Sequence, residues 1–262
     1  GYVSVAEATP VIAGCTFMNV NCPLTFRDTR AAPSLSGLKF GEGQADCIGL
    51  ESSFSVSADF TLKKYPLGYR LLANLTISGC TFTIPSGVKI DLSGRNIMLG
   101  LSSKPATLNA DGAFFMNTGA YDQYVRFDYT SGGTVTGCTF DNVYLNIANG
   151  NPSISGANFL ETAKGIVNTS GLALAAENNY WGDPTGPAHA SNPGGKGIGV
   201  SGNVDFSPWL GAFFTPGVVA PVPSVVLDPA EFDLSTGESK PLSFRLKNTG
   251  GAADMAVLGV SF

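Results

Sequence analysis

A short phrase of aliphatic, small and aromatic residues returns along the chain. Val11-Ile12-Ala13-Gly14-Cys15-Thr16-Phe17 is followed by Ser34-Leu35-Ser36-Gly37-Leu38-Lys39-Phe40, Ser55-Val56-Ser57-Ala58-Asp59-Phe60 and Thr76-Ile77-Ser78-Gly79-Cys80-Thr81-Phe82. It comes back as Thr134-Val135-Thr136-Gly137-Cys138-Thr139-Phe140 and Ser153-Ile154-Ser155-Gly156-Ala157-Asn158-Phe159. The small residue falls at 14, 37, 58 and 79, intervals of 23, 21 and 21. Gly156 follows Gly137 after 19 residues, and Ala176, in the degenerate Leu174-Ala175-Ala176-Glu177-Asn178, follows after 20. A drifting period of this size is the mark of a solenoid, in which each unit is one turn and insertions become loops.

The residue types choose among solenoids. Leucine-rich repeats need several Leu per unit, and helical repeats need Ala, Leu, Glu and Lys at longer periods. Here Ile, Val, Thr and Phe are punctuated by Gly, Ser and Asn, which is strand-and-turn chemistry. One aliphatic, one small and one aromatic residue describe two inward positions flanking a bend. Coils stacked at about 4.8 Å would align these positions into ladders. Residues 1–182 are therefore expected to form about nine coils of an all-β parallel β-helix. The middle is less regular: Gly100 to Gly137 spans 37 residues, either two short coils or one with a long excursion. That excursion would carry Tyr121-Asp122-Gln123-Tyr124-Val125-Arg126-Phe127-Asp128-Tyr129, the most aromatic stretch of the chain.

After the coils comes Asn178-Asn179-Tyr180-Trp181-Gly182, then Gly186-Pro187, His189, Asn192-Pro193-Gly194-Gly195 and Val200-Ser201-Gly202-Asn203-Val204-Asp205-Phe206-Ser207-Pro208-Trp209-Leu210. This closely resembles the segment that ends the helix in many secreted bacterial right-handed parallel β-helix proteins of the pectate-lyase-like superfamily. The resemblance implies a right-handed helix and a terminal loop, 183–210, folded over the last coil. Tyr180, Trp181, Gly182, His189, Pro208 and Trp209 would serve as cap residues. An open coil end needs such cover, because an exposed strand edge pairs with other chains. Pro216, Pro221 and Pro223 mark 211–224 as a semi-stiff linker. Three short alternating strands are then expected within 225–262. Their order resembles the opening of immunoglobulin-like domains, a sandwich that needs about seven strands. The sandwich is thus partial, to be completed by further sequence or by a neighbouring subunit. The chain opens on Gly1 rather than Met, as a processed chain or a piece of a longer one would.

Composition narrows the partners. The 262 residues can bury about 75% of their unfolded surface without staples. A net charge of −5 speaks against nucleic acid, which wants a basic face. Apolar runs are short and broken, so no membrane insertion is expected. One His and no repeated His/Cys spacing leave no expected metal or cofactor.

Cys15, Cys80 and Cys138 share one place in the phrase and read as small buried hydrophobes. Cys15 and Cys80 would lie three coils apart, about 14 Å at the stacking distance, too far for a disulfide. Cys22 and Cys47 stand at similar offsets, five residues after Phe17 and seven after Phe40, so adjacent coils can bring them together as a disulfide. Asp91, Asp111, Asp122, Asp128 and Asp141 would converge with Arg126 if the coils stack regularly. They match no catalytic signature of the polysaccharide lyases or glycoside hydrolases that share this architecture, and solvated coil-face carboxylates are the default. Tyr121, Tyr124, Arg126, Asp128 and Tyr129 are candidate glycan contacts, because aromatic faces suit pyranose rings and Arg reads hydroxyls. The same alternation also describes any half-buried strand. The leading expectation is a structural or adhesive element at the cell surface or outside the cell. It would be able to form filaments by strand addition through its tail. The alternative is a carbohydrate-active β-helix: a polysaccharide lyase, a hydrolase or a glycan-binding module.

Overall fold

The computed structural model describes residues 2–18, 21–41, 47–162 and 164–215, together with the backbones of Pro223–Asp228 and Ser243–Asn248. Two compact units result, Gly1–Phe214 and Thr215–Phe262. In the second, Pro223–Asp228 and Ser243–Asn248 pair antiparallel. The third strand expected towards Phe262 lies outside the described residues.

The first unit is an all-β parallel solenoid built on three stacked sheets. The first sheet orders Val3–Val5, Leu24–Phe26, Cys47–Leu50, Gly68–Leu71, Lys89–Asp91, Phe114–Met116, Thr139–Asp141 and Asn158–Leu160. The second runs Ser55–Val56, Leu75–Ile77, Ile97–Leu99, Gln123–Phe127, Val143–Ile147, Lys164–Asn168 and Gly199–Ser201. The third runs Phe60–Thr61, Thr81–Ile84, Thr107–Asp111, Gly132–Thr136 and Asn151–Ser155. From Cys47 to Ser155 each coil visits the three in that order. Alternation sends every second residue inward, and register makes the inward residues equivalent. On the first sheet Leu24, Ile48, Tyr69, Ile90, Phe115, Phe140 and Phe159 form one ladder. Its aromatic end stacks at 4.9 Å (Phe115–Phe140) and 5.2 Å (Phe140–Phe159). Trp181 continues it at 4.7 Å from Phe159. These separations are close to the spacing of neighbouring strands, so the backbone ladder sets the ring stack.

The solenoid makes about seven turns, fewer than the nine expected. Two causes are visible. Coil length varies: ladder partners are 21 residues apart from Tyr69 to Ile90, but 25 from Ile90 to Phe115 and again 25 to Phe140. The recurring phrase also changes corner. Gly79 turns the chain from the second sheet into the third, whereas Gly137 and Gly156 turn it from the third into the first. Gly112, in Ala110-Asp111-Gly112-Ala113-Phe114-Phe115, is a disguised copy of the later phrase. The 37 residues after Gly100 are therefore no excursion but regular sheet, and Gln123–Phe127 is a central strand. At this corner Gly112, Gly137, Gly156 and Asn178 stack with φ of 55°, 62°, 62° and 59°. Asn178, not Ala176, is the last equivalent of Gly156, whose amide donates to the Asn178 carbonyl at 2.9 Å. Asn tolerates left-handed backbone better than most residues with a Cβ.

The first two coils are joined to the rest unevenly. Among the described residues Ser34–Ser36 pairs only with Val11–Ala13, and Lys39–Phe40 only with Thr16–Phe17. Backbone pairing to the third coil runs through the first sheet, where Leu24–Phe26 meets Cys47–Leu50. Cys22 and Cys47, with Cα atoms 4.6 Å apart, are bonded across the same junction.

Candidate functional site

In Gln123–Phe127 the side chains of Gln123, Val125 and Phe127 are buried, which turns Tyr124 and Arg126 outward. One rung on, Val143–Ile147 repeats the pattern and turns Tyr144 and Asn146 outward. Register sets Tyr124 beside Tyr144 and Arg126 beside Asn146. The two tyrosine rings lie 5.5 Å apart, tilted by 58°. Lys164, opening the next strand, holds its Nζ 5.5 Å from the Tyr144 ring centre and 3.4 Å from Asp122 Oδ2. Arg126 donates through Nη2 and Nε to Asp128 Oδ2 at 2.9 and 3.2 Å. Asp128 Oδ1 accepts the Tyr129 amide at 2.9 Å and so shapes the corner.

Tyr124, Arg126 and Asp128 thus share one face, while Tyr121 and Tyr129 sit at the corners before and after it. Tyr121 is 79% exposed, on a loop whose backbone is fixed by Asn117 Nδ2 donating to the Tyr121 carbonyl at 2.7 Å. Tyr129 occupies left-handed backbone, φ 48°. Sequence reasoning missed Tyr144 and Lys164. Their signal was present: Val143-Tyr144-Leu145-Asn146-Ile147 repeats the alternation of Gln123-Tyr124-Val125-Arg126-Phe127 one coil later.

Two clefts adjoin this face and meet at Gly199. One, about 420 Å³, is lined by Tyr144, Lys164, Val167, Val200 and Ser201. The other, about 620 Å³, lies against Glu161, Thr162, Asp183, Lys196 and Ile198. The Thr185 hydroxyl and amide, with Lys196 nearby, hold the Asp183 carboxyl below its usual range. Gly165 lets Trp181 and Ile198 pack closely on its strand, since a Cβ there would stand 3.0 Å from the Trp181 ring and 3.2 Å from Ile198.

The carboxylates do not converge on Arg126. Asp91 and Asp141 belong to the first sheet and Asp111 to the third; only Asp128 pairs with Arg126. Asp91 is tied to Arg70 Nε at 2.9 Å and to the Thr118 hydroxyl at 2.7 Å. Asp141 is pushed up, first by burial and then by the charge of Glu161. Among the described residues no group of three or more His, Cys, Asp or Glu is placed to hold a metal ion.

At the far end Tyr180 bridges to Asn158, and the fully buried Trp181 closes the aromatic ladder. Gly182 turns at φ 80°. His189 Nδ1 shares a hydrogen bond with the Ser191 hydroxyl at 2.7 Å, and its ring stands edge-on to Phe206 at 5.2 Å. Pro208 accepts the Asn178 amide at 2.6 Å, and Trp209 Nε1 donates to the Pro184 carbonyl at 3.1 Å. Cys15, Cys80 and Cys138 carry free thiols. Burial pushes Cys138 up to about 12.

Compared with family models, curated proteins and solved structures, the chain matches none.

Proposed function

We propose that this chain is a non-catalytic, extracellular adhesive β-solenoid that binds a glycan on the outward face of its second sheet. The observation that carries this reading is the Tyr124–Tyr144 pair, flanked by Lys164 and opening onto the clefts at Gly199. Paired aromatic faces offer a sugar ring its apolar contact, and the ion-paired side chains beside them supply donors and acceptors for hydroxyls. The Cys22–Cys47 bridge fits an oxidising compartment. Asp91 and Asp141 on the first sheet and Asp111 on the third leave the Tyr124–Tyr144 face without the facing carboxylate pair that glycoside hydrolysis needs. Tyr180–Leu210, with Trp181 on the aromatic ladder, supports placing the chain among secreted parallel β-helix proteins with a terminal cap. A screen of polysaccharides tests the reading: the wild type is expected to retain at least one glycan that the Tyr124→Ala, Tyr144→Ala double variant releases. Release of sugar products would overturn the non-catalytic part of it.

Self-association by strand addition is a second reading, favoured by the unequal ends of the solenoid. Trp181 and Gly199–Ser201 continue the stack at one end, while Tyr2, Val3, Val11 and Met18 are exposed on the first coil. On this reading the tail, as the start of an immunoglobulin-like sandwich, supplies a strand to the next subunit's open edge. Filaments in electron micrographs that vanish on deletion of 217–262 would support it; dispersed particles from the full chain would end it.

A further inference from the structure

We propose that the ligand of this face is a neutral glycan whose main chain lies along the solenoid axis, an inference that rests on the adhesive reading above. The direction follows from the order of the parts. Tyr124 and Tyr144 occupy successive rungs, the smaller cleft continues over Lys164, Ile166 and Val167 to Gly199–Ser201, and the larger one, which shares Gly199, flanks the same rungs on the side of Glu161 and Thr162. The contact surface therefore crosses four strands of one sheet in sequence. It advances about 4.8 Å per rung, close to the length of one pyranose unit in an extended chain. A compact globular ligand would leave most of this line empty.

The charge class follows from the ion pairs. Two basic side chains facing the line have a carboxylate for company, Lys164 with Asp122 at 3.4 Å and Arg126 with Asp128 at 2.9 Å, and Lys196 lines the larger cleft together with Asp183. Glu161 adds a further carboxylate at the larger cleft. The face as a whole carries no surplus of positive charge. A polyuronate or sulfated chain would meet like charge at Asp122, Asp128 and Glu161 and gain little from cations already paired. Vicinal hydroxyls gain from the same pairs, because a salt bridge presents a donor and an acceptor side by side. Asp122 and Asp128 thus act as the specificity filter, while Tyr144 supplies the platform.

The test uses the full chain in affinity electrophoresis with xylan, glucomannan and β-glucan against polygalacturonate and alginate, at low and high salt. Retention by a neutral polymer, insensitive to salt, is expected. It should weaken roughly ten-fold in Tyr144→Ala, the loss of one aromatic platform, and survive in Tyr144→Phe. Asp122→Asn combined with Asp128→Asn is expected to gain salt-sensitive retention by polygalacturonate. Wild-type retention by the acidic polymers alone would overturn the neutral class and leave the adhesive reading standing. Neutral retention unchanged in Tyr144→Ala would overturn this placement of the ligand. No retention by any polymer would overturn both.

Discussion

Phe140 has aromatic rings on both sides, at 4.9 and 5.2 Å, and is 1% exposed. Truncation cannot be repacked by one neighbour alone, since each is held by its own strand. Phe140→Ala is expected to cost about 3–5 kcal/mol, read as a lower midpoint in denaturant. Gly186 is a backbone case: φ is 81°, and a Cβ would stand 2.5 Å from the Trp209 ring. Gly186→Ala should destabilise through both strain and collision, with Trp209 fluorescence reporting the displaced ring. Two carboxylates set opposite pH dependences. The Thr25 hydroxyl, with Ser4 and Arg27, holds Glu51 below its ordinary value despite desolvation. Its contribution is present above the unfolded glutamate pKa and is lost as pH falls through the lower folded one. Asp141 is raised, so it penalises the fold at neutral pH, and the penalty disappears as pH falls from its raised pKa to the unfolded one. Asp141→Asn is thus expected to raise stability at pH 7 and not at pH 3, whereas Glu51→Gln should flatten the acid limb. Denaturant midpoints across pH separate the two.

At the scale of elements, the weak place is the junction of the second and third coils. The second and third sheets begin only with Ser55–Val56 and Phe60–Thr61, so neither ties the first two coils to the rest. Phe17 stacks on Phe40 at 5.9 Å and Phe60 on Phe82 at 6.1 Å, yet among the described residues no stacked pair joins Phe40 to Phe60. A cleft of about 210 Å³ lies there, lined by Leu35, Leu38, Phe40, Pro66 and Leu67. The Cys22–Cys47 bond closes a loop of 25 residues across this junction, worth roughly 3 to 4 kcal/mol by chain entropy. Replacing both cysteines by Ser is expected to let residues 2–41 exchange amide hydrogen well before the coils beyond Gly68. Uniform protection throughout would show that the first sheet and the Lys63 and Tyr65 bonds to the Pro33 carbonyl hold the junction without the disulfide.

At the scale of the molecule, the solenoid unit runs on to Phe214, beyond Leu210. Asn158 is fully buried and clamps that residue from both sides, donating to the Phe214 carbonyl at 2.9 Å and accepting its amide at 2.6 Å. Asn158→Ala would leave both groups unpaired, a cost of about 1–3 kcal/mol. Limited proteolysis is expected to cut near Phe214 in that variant before it does in the wild type.

The solenoid was legible because its signal is local. Alternating Val, Ile, Thr and Phe with Gly at bends dictates strand and turn whatever surrounds them, and repetition leaves stacking as the way to bury their inward faces. The number of turns was not, because a glycine in left-handed backbone looks the same at either corner: Gly79 and Gly137 carry one phrase to two different places. The face was half legible. Tyr124 and Arg126 stand in one strand and can be read together, but their neighbour Tyr144 is 20 residues away and Lys164 further still. Which residues meet across rungs depends on coil length, and coil length is set by corner loops whose size no residue pattern announces. Period and polarity were written in the chain; register, and with it the pairing of Tyr124 with Tyr144 and the scattering of Asp91, Asp111 and Asp141, was decided only when the coils stacked.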